Sequence, residues 1–267
     1  MDIWRPFSLN PFKYVDMIDL HTHILPDWDD GAADWEEAFR MLDAARADGI
    51  RGIGLTPHIH RLSKYGEDWE ILAERKTEFC RRQGTDAIDF FFGAEVHIHP
   101  EIVRTVKDNG LTLNGSRYIF IEFPAEHVLS NAREFIFAMT LEGLIPIISH
   151  PERNIVFMER PDRLFELISM GALSQVTAQS LTGAFGSKTQ KTAELFLKQN
   201  LAQIIASDAH DAKRRPPRLS KGIDKAVKIV GRAKAWAMVT AVPEAILRNE
   251  EIPDLGRPQK NKKKLTF

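Results

Sequence analysis

The stretch Met17–Gly31, MIDLHTHILPDWDDG, decides how the rest of the chain is read. An apolar run ends in two histidines one residue apart, and two adjacent carboxylates follow within one loop. Side chains two apart on a strand share a face, so His21 and His23 point the same way. Such a stretch is either a coincidence of polar loop residues or one wall of a metal site. Asp29 and Asp30 before Gly31 suit a turn or a helix cap equally well. What the other strands end in decides between the two.

Strands are expected in YVDMIDLH, GIRGIGLTPH, IDFFFGAEVHI, RYIFIEF, LIPIISH, LSQVTA and AQIIASDAH. Amphipathic stretches such as DWEEAFRMLDAARADG, DWEILAERKTEFCRRQG, NAREFIFAMTLEG, RPDRLFELISMG and KTAELFLKQN lie between them, and many close on Gly or Asn. Repeated βα units imply a parallel sheet, and about seven imply a closed barrel. Polar residues gather at the strand ends: His21 and His23, His58 and His60, Glu95 with His97 and His99, Glu122, His150, and Asp208 with His210. Parallel barrels carry their chemistry there. Of the nine histidines only His127 falls in a loop. Unpaired, that much buried polarity would cost free energy at each position. Six ends furnished with imidazole and carboxylate, and no sulfur, offer the ligands of Zn, Mn or Fe.

Bulk properties agree with one soluble domain. The chain has 267 residues, 43% hydrophobic and 27% charged, and a net charge of −1. That balance gives no reason to expect a nucleic-acid or membrane partner. A lone cysteine, Cys80, allows no internal disulfide, which fits the cytoplasm. The N-terminal stretch lacks the apolar core of a signal peptide, and no segment approaches the ~20 apolar residues of a membrane span. Residues 1–16 are taken as an N-terminal extension, 17–250 as the barrel and 251–267 as a basic, solvated tail.

The motifs DLHTHILPDWDDGA, LTPH, GAEVHI, LNGSRYIFIEFP, GLIPIISHPERN, ALSQVTAQSLTGAFG and IIASDAH resemble, in order and spacing, a known family. It comprises the manganese-dependent tyrosine-protein phosphatases of bacterial capsule and exopolysaccharide operons, within the PHP (polymerase and histidinol phosphatase) superfamily. The resemblance implies an α/β fold, a distorted seven-stranded parallel (β/α)7 barrel of the PHP type. It also implies three ions at the C-terminal mouth, usually Mn2+, with Fe, Zn, Co or Mg able to serve in vitro. Carried over residue by residue, the ligands are His21, His23, Asp30, His58, Glu95, Glu122, His150, Asp208 and His210. Arg153 in HPER and Arg215 after SDAH match the family's phosphate-binding arginines. The implied substrate is a phosphorylated tyrosine autokinase that controls polysaccharide assembly.

The chain departs from the family in TPHIHRLSKYGED, where relatives carry TPHH, which leaves His60 unassigned. His97 and His99 stand where relatives have non-ligands and stay outside the metal set. Asp27 and Asp29 read as turn residues or as partners of the ligands. Arg153 could instead pair with Glu152 or with another acid beside the ligands, and Arg215 lies in the basic run KRRPPR, which could be an ordinary solvated loop.

Several divalent ions in one pocket would let a bridging water lose its proton near neutral pH and attack phosphorus in line. Two arginines would grip the equatorial oxygens. Tyrosinate, with a conjugate-acid pKa of about 10, leaves with little proton donation. The cysteine route needs Cys-x5-Arg, whereas position 86 is Asp, and Cys80 reads as a packing residue. Three rivals use similar residues: a PHP phosphoesterase acting on histidinol phosphate or a nucleotide, a metal amidohydrolase, and a non-catalytic barrel. An amidohydrolase usually offers a strand-four lysine where this chain has Glu122.

Overall fold

A computed structural model describes residues 16–59, 69–83 and 88–260. The strands are Met17–Thr22 (β1), Ile50–Leu55 (β2), His58–Ile59 (β3), Asp89–Phe92 (β4), Glu95–His97 (β5), Tyr118–Glu122 (β6), Ile145–Ser149 (β7), Leu173–Thr177 (β8) and Ile204–Ala206 (β9). The helices are Trp35–Asp48 (α1), Trp69–Gln83 (α2), Ile102–Asp108 (α3), Ala132–Leu141 (α4), Ile155–Glu159 (α5) and Pro161–Ser169 (α6). Ala178–Leu181 (α7), Ser187–Lys198 (α8), Ser220–Val230 (α9), Arg232–Ala237 (α10) and Ala241–Leu247 (α11) complete them.

All strand pairs are parallel, in two sheets ordered β1-β2-β4 and β3-β5-β6-β7-β8-β9. The sequence leads to the expectation of one seven-stranded barrel, whereas the strand ladders divide into two parallel sheets of three and six strands. The extra strands arise because two expected runs are interrupted, one at Thr56–Pro57 and one at Gly93–Ala94. Proline has no N–H to give a ladder, so a break at Pro57 is unsurprising.

Strands buried on both faces divide their residues between two cores. Ile18, Leu20, Phe91, Tyr118, Phe120, Ile147, Ile204 and Ala206 share one, which Val242, Ile246 and Leu247 of α11 join. Ile53, Phe90, Ile119, Ile121, Ile148 and Ile205 join the larger core with the helices. Helix α1 shows how the outer layer is made. Asp34 caps it by accepting from Glu37 N, Gly49 stops it at φ 87°, and Ala38, Met41, Leu42 and Ala45 form its buried stripe. Asp48 at its end accepts from Leu219 N and Ser220 N at 2.6 and 2.9 Å, capping α9. Residues 251–260 lie against the body: Leu255 packs on it, and Asn200 Nδ2 donates to Arg257 O at 2.9 Å. His60, most of the N-terminal extension and the final basic residues fall outside the described residues.

Candidate metal centre

A register irregularity of β1 between Asp19 and Thr22 shapes the site. Strict alternation would put Leu20 and His21 on opposite faces. The irregularity re-phases the strand, and the His21 ring lies 4.6 Å from Phe120, a member of the same core as Leu20. His150 and Asp208 follow β7 and β9 in left-handed conformations, at φ 33° and 51°. Such backbone costs about 1–3 kcal/mol at a non-glycine residue and persists where surrounding structure enforces it. Gly31 packs so closely on His23 that a Cβ would sit 1.9 Å from the His23 carbonyl oxygen.

All nine expected residues gather at one place. Three overlapping sets of donor atoms each lie within 4.8 Å of one another: His23, Asp30, His58 and His210; His21, His23, Glu95 and Asp208; and His58, Glu95 and Glu122. His150 Nε2 joins them, 3.2 Å from Glu95 Oε1 and 3.8 Å from Glu122 Oε1. Glu95 is the hub. Its Oε2 lies 3.2 Å from His21 Nε2, 3.3 Å from His23 Nε2 and 3.2 Å from His58 Nδ1. His97 stands at the edge, 3.6 Å from Glu122 Oε2, and belongs to none of the three sets.

These residues fit divalent cations. Both Glu95 oxygens are buried and accept no hydrogen bond among the described residues. His21 Nδ1 donates to Gln175 Oε1 at 3.0 Å, and His23 Nδ1 donates to Asp29 Oδ2 at 2.8 Å. Each ring then turns its Nε2 inward, and the two Nε2 atoms are 3.1 Å apart. Lone pairs facing at that distance repel unless a cation or proton lies between them. The donors are imidazole and carboxylate only, which suits Mn, Fe, Zn or Mg.

Electrostatics point the same way. Burial opposes ionisation of Glu95, yet the His21 and His58 imidazoles overcome it and hold the carboxyl well below its usual range. For Asp208 burial is overcome by Arg153 and Arg215. Burial, reinforced by nearby His23, keeps His58 and His210 below the ordinary imidazole value, whereas Glu95 and Asp29 carry His21 and His23 above it, so those two rings hold protons that a metal would displace. Among the described residues, the permanent cations paired with Asp29, Asp30, Glu95, Glu122 and Asp208 are Arg153 and Arg215, both on Asp208. With neutral imidazoles the centre carries excess negative charge, a demand divalent cations meet.

Arg153 pairs with Asp208 Oδ2, and Arg215 Nη2 binds the same oxygen at 2.6 Å. Of the alternative partners for Arg153, Glu152 is not used, and the acid that Arg153 meets is Asp208. Glu152 is buried and accepts from Thr177 N at 2.8 Å and Ser180 Oγ at 2.6 Å. The Nε atoms of both arginines are buried without a hydrogen-bond partner among the described residues. Phe185 lies beneath both, its ring centroid 5.0 Å from Arg153 Cζ and 5.9 Å from Arg215 Cζ.

Sequence reasoning passed over Gln175 and Phe185. Gln175 is a fully buried amide inside the strand LSQVT, an anomaly that asks for a partner. Phe185, between glycines in GAFG, carried no local signal. Asp29, read as a turn residue or ligand partner, is both, since its Oδ1 accepts from Gly31 N at 3.0 Å. Cys80 is half-buried on α2, packs against the core, and has its thiol pushed up by burial.

The chain is similar to known proteins. The chain is 36% identical over 239 residues to the tyrosine-protein phosphatase YwqE of Bacillus subtilis (strain 168), spanning 88% of this chain and 93% of that protein. It is 29% identical over 244 residues to the tyrosine-protein phosphatase CpsB of Streptococcus pneumoniae, spanning 88% of this chain and 100% of that one. A crystal structure from work on those two proteins, described as unique metal-dependent tyrosine phosphatases, matches with a TM-score of 0.87 at 35% identity, covering 92% of this chain and 100% of that chain. A β-aspartyl dipeptidase of Fervidobacterium islandicum AW-1 shares the fold alone, with a TM-score of 0.57 at 15% identity over 94% of this chain and 81% of that one. The family described as capsular polysaccharide synthesis, CpsB/CapC, matches residues 17–248, and the chain belongs to that family.

Proposed function

We propose that this chain is a metal-dependent protein-tyrosine phosphatase, a phosphoric monoester hydrolase. One observation carries the reading: three overlapping donor sets stand beside two arginines that share a single carboxylate. The ligands are His21, His23, Asp30, His58, Glu95, Glu122, His150, Asp208 and His210, holding three divalent ions, manganese by preference. When bound, such ions neutralise phosphoryl charge and make water acidic enough to serve as nucleophile near neutral pH.

The chain's own residues supply the rest. Asp208 holds both guanidiniums by one oxygen, and a guanidinium has five N–H donors. Arg153 and Arg215 therefore keep Asp208 while offering their remaining terminal N–H groups to equatorial phosphoryl oxygens. Phe185 restrains both planes from below. Gln175 and Asp29 fix the His21 and His23 tautomers. A thiolate route is disfavoured by the burial of Cys80.

The names of the relatives and the family description support a phosphotyrosine protein of capsule or exopolysaccharide synthesis as substrate, and we assign a tyrosine autokinase in the cytoplasm. Among the described residues no helix is long and apolar enough to cross a membrane. We also read the two sheets as one distorted seven-stranded barrel, with β2–β3 and β4–β5 each a single interrupted strand. Bonds bridging the interruptions (Gly93 N to Leu55 O, 3.1 Å; Glu95 N to Pro57 O, 3.0 Å) and joining β1 to the β9 end (Asp208 N to His21 O, 2.9 Å) support this.

The test uses metal-stripped protein with manganese added back, a phosphotyrosine peptide and histidinol phosphate. Manganese-dependent release from the peptide, lost in His150→Ala and weak on histidinol phosphate, is the expected result. Preference for histidinol phosphate overturns the substrate, and inactivity on both overturns the reading.

A further inference from the structure

Beyond the ends of β6 and β7 lies a cavity of about 220 Å³ that the chemistry above leaves unused. Glu122, His150 and Arg153 line it, so it adjoins both the donor cluster and the arginines. Its apolar walls are Phe123 and Phe157, whose rings meet edge to face at 5.7 Å and 89°. Ser149 is 3% exposed, lines the cavity, and its Oγ has no hydrogen-bond partner among the described residues. Ala125 stands at the exposed rim.

The walls are braced. Asn154 Oδ1 accepts from Phe157 N at 3.0 Å, while its Nδ2 donates to Pro124 O at 2.7 Å and His127 O at 3.2 Å. Ile155 N donates to Ala125 O at 2.9 Å, tying the loop after β6 to the start of α5. A space held open by its own hydrogen bonds does not collapse when empty. Enclosed apolar cavities of about 150 Å³ admit a benzene ring, and this cavity, which is open at one side and part polar, is of comparable volume.

We propose that this cavity seats the aromatic ring of an aryl phosphoester, the ring entering past Ala125 and meeting the exposed edge of Phe123, with Phe157 and Ser149 forming the buried floor behind it. The assignment rests on the phosphatase reading and deepens it, because it makes the leaving group a selected feature. Glu122, His150 and Arg153 then hold the phosphoryl end while the ring lies alongside them. An alkyl phosphoester leaves the cavity unfilled and forgoes that contact.

The test measures binding of phenylphosphonate and methylphosphonate, neither of which can be hydrolysed, to manganese-loaded full-length protein by titration calorimetry. An apolar group filling a pocket discriminates by about 10–200-fold. Wild type is expected to bind phenylphosphonate at least about tenfold tighter than methylphosphonate. Ala125→Trp, at an exposed position that folding tolerates, narrows the rim and brings the ratio toward one. Equal binding of the two by wild type, or a ratio that survives Ala125→Trp, overturns the cavity assignment and leaves the phosphatase reading standing. Failure of wild type to bind either phosphonate, together with failure to hydrolyse the phosphotyrosine peptide, overturns both.

Discussion

Asp29→Asn changes one oxygen for one nitrogen at a buried position that touches no candidate ion directly. Asp29 accepts three hydrogen bonds: Oδ2 from His23 Nδ1 and His58 N, each at 2.8 Å, and Oδ1 from Gly31 N at 3.0 Å. An asparagine has one acceptor oxygen. If that oxygen keeps the Oδ2 position, its NH2 meets the Gly31 N–H, and the opposite rotamer sets it against both other donors. The clash costs about 1–3 kcal/mol of stability. The His23 bond also loses its charge assistance, roughly half of a 1.5–3 kcal/mol interaction. That second loss reaches the metal, because His23 Nε2 becomes a weaker donor and its tautomer is less firmly held. Substitutions of this kind lower metal affinity about 10–100-fold. His23 belongs to two of the three donor sets, so two sites should weaken and the His58–Glu95–Glu122 set should change least. Competition against a chromogenic manganese chelator resolves the sites. Asp27→Asn is the control, since Asp27 pairs with Arg75 at 3.0 Å and belongs to none of the donor sets, and should shift no site by more than about twofold. Wild-type manganese affinity at every site of Asp29→Asn would refute the reasoning.

Gly31→Ala drives a Cβ into the His23 carbonyl and disturbs the Ala32 N to His23 O bond of 2.9 Å, so thermal scans should show a Tm lower by several degrees with weaker metal binding. Arg153→Gln and Arg215→Gln should each lower kcat/KM on a phosphotyrosine peptide about 10²–10³-fold with metal content retained. The double variant should lose less than the product, because both side chains share Asp208 Oδ2. Burial pushes the Lys76 ammonium down from 10.5 to about 7. The unfolded chain then holds more protons than the folded one between those values, so stability rises with pH across that window. Lys76→Met should remove a rise of roughly 4–5 kcal/mol, read as wild type gaining on the variant in denaturant melts from pH 7 to 10.5. Parallel curves would refute the burial argument.

How much of this was legible beforehand follows from what local pattern records. Apolar runs ending in His or Glu were visible because alternation and its interruption are written in neighbouring residues. The strands at MIDLHT, YIFIE and IPIIS, and the capped helix after Asp34, appear where pattern put them. The split of two runs at Thr56–Pro57 and Gly93–Ala94, and hence the division into two sheets, depends on which backbone groups find partners across the molecule.

At the centre, the sequence by itself determined the chemistry: imidazoles and carboxylates at the ends of parallel strands, with arginines in the loops that follow. Only the tertiary structure decided the geometry. Three residues make this plain. His21 faces inward through the register shift of β1 between Asp19 and Thr22, and His150 and Asp208 turn in through left-handed backbone that local sequence does not specify. Gln175, 154 positions from His21, sets that ring's tautomer. Composition and period are local, but register, strain and tautomer are settled by contacts between residues far apart in the chain, and those exist only once it has folded.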